Sequence, residues 1–339
     1  MSKLAGDVVT EKVRWGILST ARIARQRVVP AMLKSPSTTV AAVASRSLDN
    51  AKNFAAAFDI PRAYGSYQEL IDDPEIDAIY NALPNHLHVE TTLAAAAKGK
   101  HVLCEKPIGL DLADALKLKA APAGVLIGEA FMIRHHPQWR MVSEILAAGR
   151  IGPVRAVQTF FSFLNVDPAN IRNRPETGGG ALLDIGCYAI ASARLIFGGE
   201  PKRVLALVDR DPVMKTDRSA AILADFGDGR QFSAQLSTQA FRHQRVGIVG
   251  TEGRIEMETP FSAPTDEKSK ILVDRHGPGQ PIETIVFPPV DQYALQAEAF
   301  SRAVRGAGPW QYGLDDALAN MAALDALFRS ERSGNWESP

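Results

Sequence analysis

Cysteine is nearly absent. Cys104 and Cys187 are the only two in 339 residues, so neither a disulfide framework nor a zinc-finger spacing can be built, and a reducing cytoplasm is the expected location. Net charge is absent too. Lys and Arg number 38 and so do Asp and Glu, which leaves no overall field to hold nucleic acid or an anionic membrane surface. The first dozen residues carry no apolar signal region and no apolar run approaches a bilayer span, so no membrane role is expected. His86, His88 and Glu90, and the pair His135-His136, form no complete ligand set, and no metal is expected.

What is present is alternation. Apolar strands rich in Val, Ile and Ala (13–19, 39–46, 78–83, 101–104, 125–130) are separated by helical stretches, the pattern of an α/β doubly wound parallel sheet. From Gly152 the period changes to longer alternating strands, around 154–160, 204–209, 220–226, 231–238, 244–249 and 253–257, with a hairpin signal at Gly227-Asp228-Gly229. Their succession without intervening helices implies a large, mostly antiparallel sheet in a second, α+β domain. Its exposed face is the expected surface for a homodimer or homotetramer. The resulting division is a tail over 1–12, a dinucleotide-type domain over 13–130, an α+β domain for substrate and assembly over 131–310, and a C-terminal helix and tail over 311–339 that returns to the first domain.

The turn after the first strand lacks the glycines of a dinucleotide fingerprint. Ser19-Thr20-Ala21-Arg22-Ile23-Ala24 stands there, with Gly16 just upstream. Small side chains still admit a pyrophosphate, and Ser19, Thr20 and Arg22 add donors; an ordinary βα turn is the bland alternative. The second strand ends in Ser45-Arg46, where an NAD-preferring fold places an acid. A hydroxyl and a guanidinium suit a 2′-phosphate, which favours NADP(H) and leaves NAD(H) open.

Two segments carry the chemistry. The strand His101–Cys104 ends in Glu105-Lys106-Pro107, which presents one ammonium at the carboxyl edge of the sheet, and Gly178-Gly179-Gly180 opens a helix bearing Asp184 and Tyr188. A spacing of four puts the last two on one helix face, and a nearby ammonium would lower the phenol pKa. With Leu83-Pro84-Asn85-His86-Leu87-His88, in this order and spacing, these segments resemble the glucose-fructose oxidoreductase / inositol dehydrogenase / rhizopine-catabolism family, over about Val13 to Arg332. Tyrosine at position 188 resembles the branch that contains dimeric dihydrodiol dehydrogenase, NADP-linked xylose dehydrogenase and anhydrofructose reductase.

The resemblance implies a Rossmann domain and an NADP(H)-dependent hydride transfer on a sugar, polyol or related diol. Tyr188 would be the acid/base residue, Lys106 the substrate-polarising lysine, and Asp184 their support. A non-catalytic, dinucleotide-binding regulator is the alternative. Ser19, Thr20, Ala21, Arg22, Ile23, Ser45, Arg46, Leu83, Asn85, His88, Glu105, Lys106 and Arg134 are the expected cofactor contacts. Lys106, Arg172, Asp184 and Tyr188 are the expected substrate contacts.

Overall fold

The computed structural model describes residues 11–277 and 279–339, so most of the expected 1–12 tail lies outside the described residues. Six parallel strands form the first sheet: β1 (Val13–Leu18), β2 (Thr38–Ala44), β3 (Arg62–Tyr64), β4 (Ala78–Asn81), β5 (His101–Cys104) and β6 (Ile127–Glu129), in the order β3-β2-β1-β4-β5-β6. Central strands are apolar at nearly every position because helices cover both faces. The helices are α1 (Val29–Lys34), α2 (Leu48–Ala57), α3 (Tyr67–Asp72), α4 (His88–Ala97) and α5 (Leu112–Leu116). Strand order reverses between β1 and β4. The crevice beyond the carboxyl ends of these strands is where open α/β sheets take their ligands, and Ser19, Ser45, Leu83 and Lys106 all follow strand ends there.

A π-helical turn, Ala24–Val28, leads into α1, which carries Pro30 in its first turn. A proline inside a helix lacks its N–H and crowds the carbonyl four residues back; a wider turn immediately upstream relieves both.

After α6 (Pro137–Ala147) the second sheet contains eight strands. They are β7 (Val154–Leu164), β8 (Arg203–Arg210), β9 (Asp217–Asp225), β10 (Gln231–Ser237), β11 (Gln239–Gly250), β12 (Arg254–Met257), β13 (Ser269–Asp274) and β14 (Glu283–Phe287), in the order β14-β13-β12-β11-β7-β10-β9-β8. Only β7 and β10 pair in parallel. Strand β13 and the edge strand β14 add to the sequence reading, which ended the sheet near Met257.

Helices α7 (Cys187–Phe197) and α9 (Leu314–Ser333) pack against one face of this sheet; Ser330 Oγ, for example, accepts from Ala206 N at 3.0 Å. The opposite face is open, with a concavity of about 670 Å³ flanked by Phe160, Leu207, Leu223 and Arg245. Helix α8 (Gln292–Val304) falls within the stretch expected to belong to the second domain, yet it packs on α1. There Trp15 Nε1 donates to Ser301 Oγ at 3.0 Å and the Trp15 and Phe300 rings lie 5.5 Å apart.

The expectation that no apolar run reaches bilayer length is corrected in one place. The helical stretch Pro175–Phe197 is long and apolar enough, but 94% of its most apolar window is buried inside the protein. Its apolarity is that of a core helix, surrounded by side chains from both domains.

Candidate active site

Lys106 follows β5 directly. Glu105 N donates to Asn81 O at 2.9 Å, which continues the β4–β5 ladder one step, and the Tyr80 hydroxyl donates to the Glu105 carboxylate. The side chain of Lys106 then reaches across to the second domain. Its Nζ donates to the carbonyl oxygen of Asp184 at 2.7 Å and to Asp184 Oδ1 at 2.8 Å, while Arg172 Nε donates to Asp184 Oδ2 at 2.9 Å. One carboxylate therefore serves two cations. Burial pushes the Asp184 pKa up, but Arg172 and Lys106 outweigh it and hold the carboxyl down at about 2. Burial pulls Lys106 down, Asp184 opposes this, and the balance leaves the ammonium raised above its ordinary value. It is fully charged at neutral pH.

An ammonium has three N–H donors. Two are spent on Asp184, and among the described residues the third has no protein acceptor.

The glycine triplet explains how Asp184 gets there. Gly180, at φ +120°, passes so close to Asp217 that a Cβ would lie 1.8 Å from Asp217 Oδ1, and Asp217 Oδ2 accepts from Leu182 N at 2.6 Å. Gly178, at φ +78°, packs against Leu110 and Asn85, whose Nδ2 donates to Gly178 O at 2.8 Å. A second π-helical turn, Leu182–Gly186, precedes α7 and contains Asp184. Such turns recur at functional sites.

Asp184 does not hold the phenol, contrary to the one-face expectation. Tyr188 is 6% exposed, its hydroxyl donates to Met132 Sδ at 3.4 Å, and its ring is lined by Phe131, Phe161 and Phe261. Lys106 Nζ lies over the ring face, 5.0 Å from the centroid. The expected fall in phenol pKa does not occur in this state: burial raises it well above the ordinary value, and Tyr293 and Glu105 add to the rise. The phenol is a proton donor at neutral pH. Met132, Tyr80 and Asp217 were invisible to sequence reasoning, because each touches its partner across dozens of residues.

On the cofactor side Ser19 adopts φ +84°, a backbone conformation normally left to glycine, and its N–H donates to Ala44 O at 2.9 Å. The turn takes a glycine-type shape with a serine at this position. Ala21 and Ile23 pack on the β1–β2 core, Arg22 is exposed, and among the described residues no side chain caps the following π-helical turn, whose Arg25 N–H donates to Ala21 O at 3.0 Å. Ser45 is buried at the end of β2, and Arg46 is exposed beside Tyr67, whose pKa burial raises and Arg46 opposes. The donor set fits a dinucleotide: hydroxyls and backbone amides at the turn, and an exposed guanidinium at the end of β2.

Two expected cofactor residues have other work. His88 is fully buried, with Nδ1 2.7 Å from Pro107 O and Nε2 2.8 Å from Leu83 O. The Arg134 side chain is also buried; it pairs with Asp316 of α9 and lies over the Tyr312 ring at 4.2 Å. Among the described residues no cluster of three or more His, Cys, Asp or Glu is arranged to hold a metal ion.

A doubly wound sheet with an open dinucleotide turn, beside a lysine and a tyrosine delivered from two domains, defines a nucleotide-dependent oxidoreductase. Residues 13–124 match the oxidoreductase family with NAD-binding Rossmann fold, and residues 139–256 match the GFO/IDH/MocA C-terminal domain. An uncharacterised oxidoreductase of Rhizobium meliloti is 45% identical over 330 residues, covering 96% of this chain and 99% of that one. An NADP-dependent D-xylose 1-dehydrogenase of Haloferax volcanii is 36% identical, covering 94% and 98%.

A 3-ketoreductase from Actinomadura kijaniata, solved with NADP and TDP-benzene, superposes with a TM-score of 0.88 at 32% identity, covering 94% of this chain and 98% of that one. Variants of that reductase have also been solved, with a tyrosine replaced by phenylalanine and a lysine replaced by alanine or glutamate. The chain belongs to the GFO/IDH/MocA family of NAD(P)-dependent oxidoreductases, and it is a dehydrogenase or reductase.

Proposed function

We propose that this enzyme transfers hydride reversibly between NADP(H) and a carbonyl or carbinol carbon of a sugar, polyol or related diol. Tyr188 exchanges the hydroxyl proton and Lys106 holds the substrate oxygen. The observation that carries this reading is the state of the Lys106 ammonium, which is charged, clamped by Asp184 and left with one donor. When bound, the dinucleotide supplies the hydride at nicotinamide C4.

The chain's own residues do the rest. Lys106 stabilises negative charge developing on the substrate oxygen, preorganised by Asp184 so that it need not reorient. Tyr188 delivers the proton in the reducing direction. The Arg172 side chain is 42% exposed and bound to Asp184 only through Nε, which leaves its other nitrogens for a second substrate oxygen. Ser19 to Ile23, with the helix start they open, hold the pyrophosphate; Leu83, Asn85 and Glu105 floor the nicotinamide end; Ser45 and Arg46 hold the 2′-phosphate. The NADP-linked xylose dehydrogenase and the NADP-bound ketoreductase support this cofactor choice. The open face of the eight-stranded sheet, with Leu207 77% exposed, is the surface through which two copies pair.

The test is NADP⁺ and NAD⁺ reduction across D-xylose, D-glucose and cyclic trans-diols. Lys106→Met and Tyr188→Phe lower kcat by about 10²-fold or more with NADPH affinity nearly unchanged. Arg46→Asp weakens NADPH far more than NADH. An unchanged kcat in either of the first two variants overturns the roles, and equal effects of Arg46→Asp overturn the cofactor choice.

A further inference from the structure

The peptide unit that follows Lys106-Pro107 is gripped at both ends by buried side chains from two different elements. Its oxygen, Pro107 O, lies 2.7 Å from Nδ1 of His88, the first residue of α4. Its nitrogen, Ile108 N, donates at 2.8 Å to Oε1 of Glu129, the last residue of β6. His88 is 0% and Glu129 3% exposed. With its ring proton on Nδ1, His88 donates to this carbonyl while the carboxyl accepts from the N–H, and the two contacts polarise the peptide in the same sense. The second ring nitrogen of His88 faces Leu83 O at 2.8 Å, which joins the loop after β4 to the loop after β5.

We propose that His88 and Glu129 are a pair of positioning residues that act through the Pro107–Ile108 peptide to hold the Lys106 backbone in place. Neither reaches the cleft. A lysine side chain whose head is fixed by Asp184 needs its root fixed as well, because a displacement of about 1 Å at a reacting group costs about 10²-fold in rate. The inference rests on the role assigned above to Lys106.

Both groups carry a titration signature. Burial pulls His88 down to about 4, against the two carbonyls, each of which favours a protonated ring nitrogen facing it. Burial raises Glu129 to about 8; Arg134, the Ile108 amide and Arg194 oppose it and Asp316 adds to it. The other titratable groups whose own ionisation Glu129 influences are Cys104 and Cys187, both raised by burial.

The experiment measures kcat and KM for NADP⁺ reduction with D-xylose from pH 6 to 10, and amide hydrogen exchange of residues 104–110. Six proteins are compared with wild type: His88→Leu, His88→Gln, Glu129→Leu, Glu129→Gln, the double variant His88→Leu/Glu129→Leu, and Lys106→Met. The leucine variants lose about tenfold or more in kcat per folded molecule at similar NADP⁺ affinity, and exchange at Ile108 accelerates. Their combined effect is less than the product of the two, because both act on one peptide. Gln at either position restores protection, His88→Gln recovers kcat relative to His88→Leu, and Glu129→Gln abolishes an inflection of the kcat profile near pH 8.

The inference is overturned if the leucine variants lose activity only in proportion to unfolded protein. It is overturned equally if Ile108 exchange does not respond, or if Glu129→Gln keeps the pH 8 inflection. Should the leucine variants fail to fold, the glutamine variants decide by the exchange and pH readouts. An unaffected Lys106→Met overturns the role of Lys106 instead, and so separates the two failures.

Discussion

Replacing Asp184 by asparagine tests the site at its electrostatic centre. The side chain keeps its size and loses its charge. Asp184 accepts from Lys106 at 2.8 Å and from Arg172 at 2.9 Å, and the two carboxylate oxygens face different cations. An amide offers one oxygen and one NH₂, so one cation must face a donor. Hydrogen bonds to charged groups contribute about 1.5–3 kcal/mol each, and breaking a buried ion pair costs about 3–5 kcal/mol. The Arg172 side chain is 42% exposed, so water screens its share, and the Lys106 contact dominates.

The carboxyl itself gives a second measure. Its pKa falls from 3.8 to about 2, which at 1.36 kcal/mol per unit is about 2–3 kcal/mol, the same order. Asp184→Asn is therefore expected to lower stability by about 3 kcal/mol at pH 7.

The sign with pH follows from the depressed value. A carboxyl bound more tightly as the anion in the folded state stabilises fully above its unfolded pKa, and loses that contribution as pH falls through its folded value. The gap between wild type and variant should thus be constant from about pH 5 through neutrality and should close between pH 4 and about 2. Lys106, no longer opposed by Asp184, follows its burial downward, so the variant gains an alkaline decline in kcat at lower pH than wild type. Urea unfolding at stepped pH, with kcat profiles on the same preparations, gives both numbers. A loss under about 0.5 kcal/mol, or an unmoved alkaline limb, refutes the shared-carboxylate account.

Ser19→Gly relieves a positive φ that costs a non-glycine residue about 1–2 kcal/mol, against about 0.5–1 kcal/mol of extra unfolded-chain entropy. Thermal melts should show the variant equal to or slightly above wild type, and Ser19→Val well below it. Gly180→Ala places a Cβ 1.8 Å from Asp217 Oδ1 at φ +120°; unfolding should show a loss of about 2 kcal/mol or more together with a fall in kcat, since the displaced turn carries Asp184. Asp217 is raised by burial to about 6, so the fold favours its protonated form and stability falls as pH rises from about 4 through about 6. Asp217→Asn should flatten that slope in urea titrations.

The parallel sheet was readable because buried strands are predominantly apolar, as the stretch 40–44 is throughout and Val13–Leu18 is but for Arg14. The Lys106 and Gly178 segments were readable because a Pro-stopped strand end and a glycine triplet have few other uses. What escaped depends on distance in sequence. Tyr80 finds Glu105 across 25 residues and Tyr188 finds Met132 across 56, and no local period encodes either pairing. The spacing of Asp184 and Tyr188 misled because a π turn breaks the 3.6-residue period on which the one-face argument depends. The left-handed shape at position 19 has no local signal either, because it is the Ala44 carbonyl, 25 residues on, that accepts from the Ser19 N–H.

Lys106 is thereby better defined than a cation at a strand end. Its head is bound by a residue of the second domain, and the backbone that follows it is flanked by α4 and β6 of the first. Motion of one domain against the other must then stretch the Lys106–Asp184 bridge along with the Asn85–Gly178 hydrogen bond. Tyr188 lies on the far side of the same bridge, on the helix that carries Asp184, so the two groups expected to share a proton path are held in register by one ion pair. Loss of that pair should disturb proton transfer more than cofactor binding, because the Ser19 turn and Arg46 belong wholly to the first domain and do not depend on it.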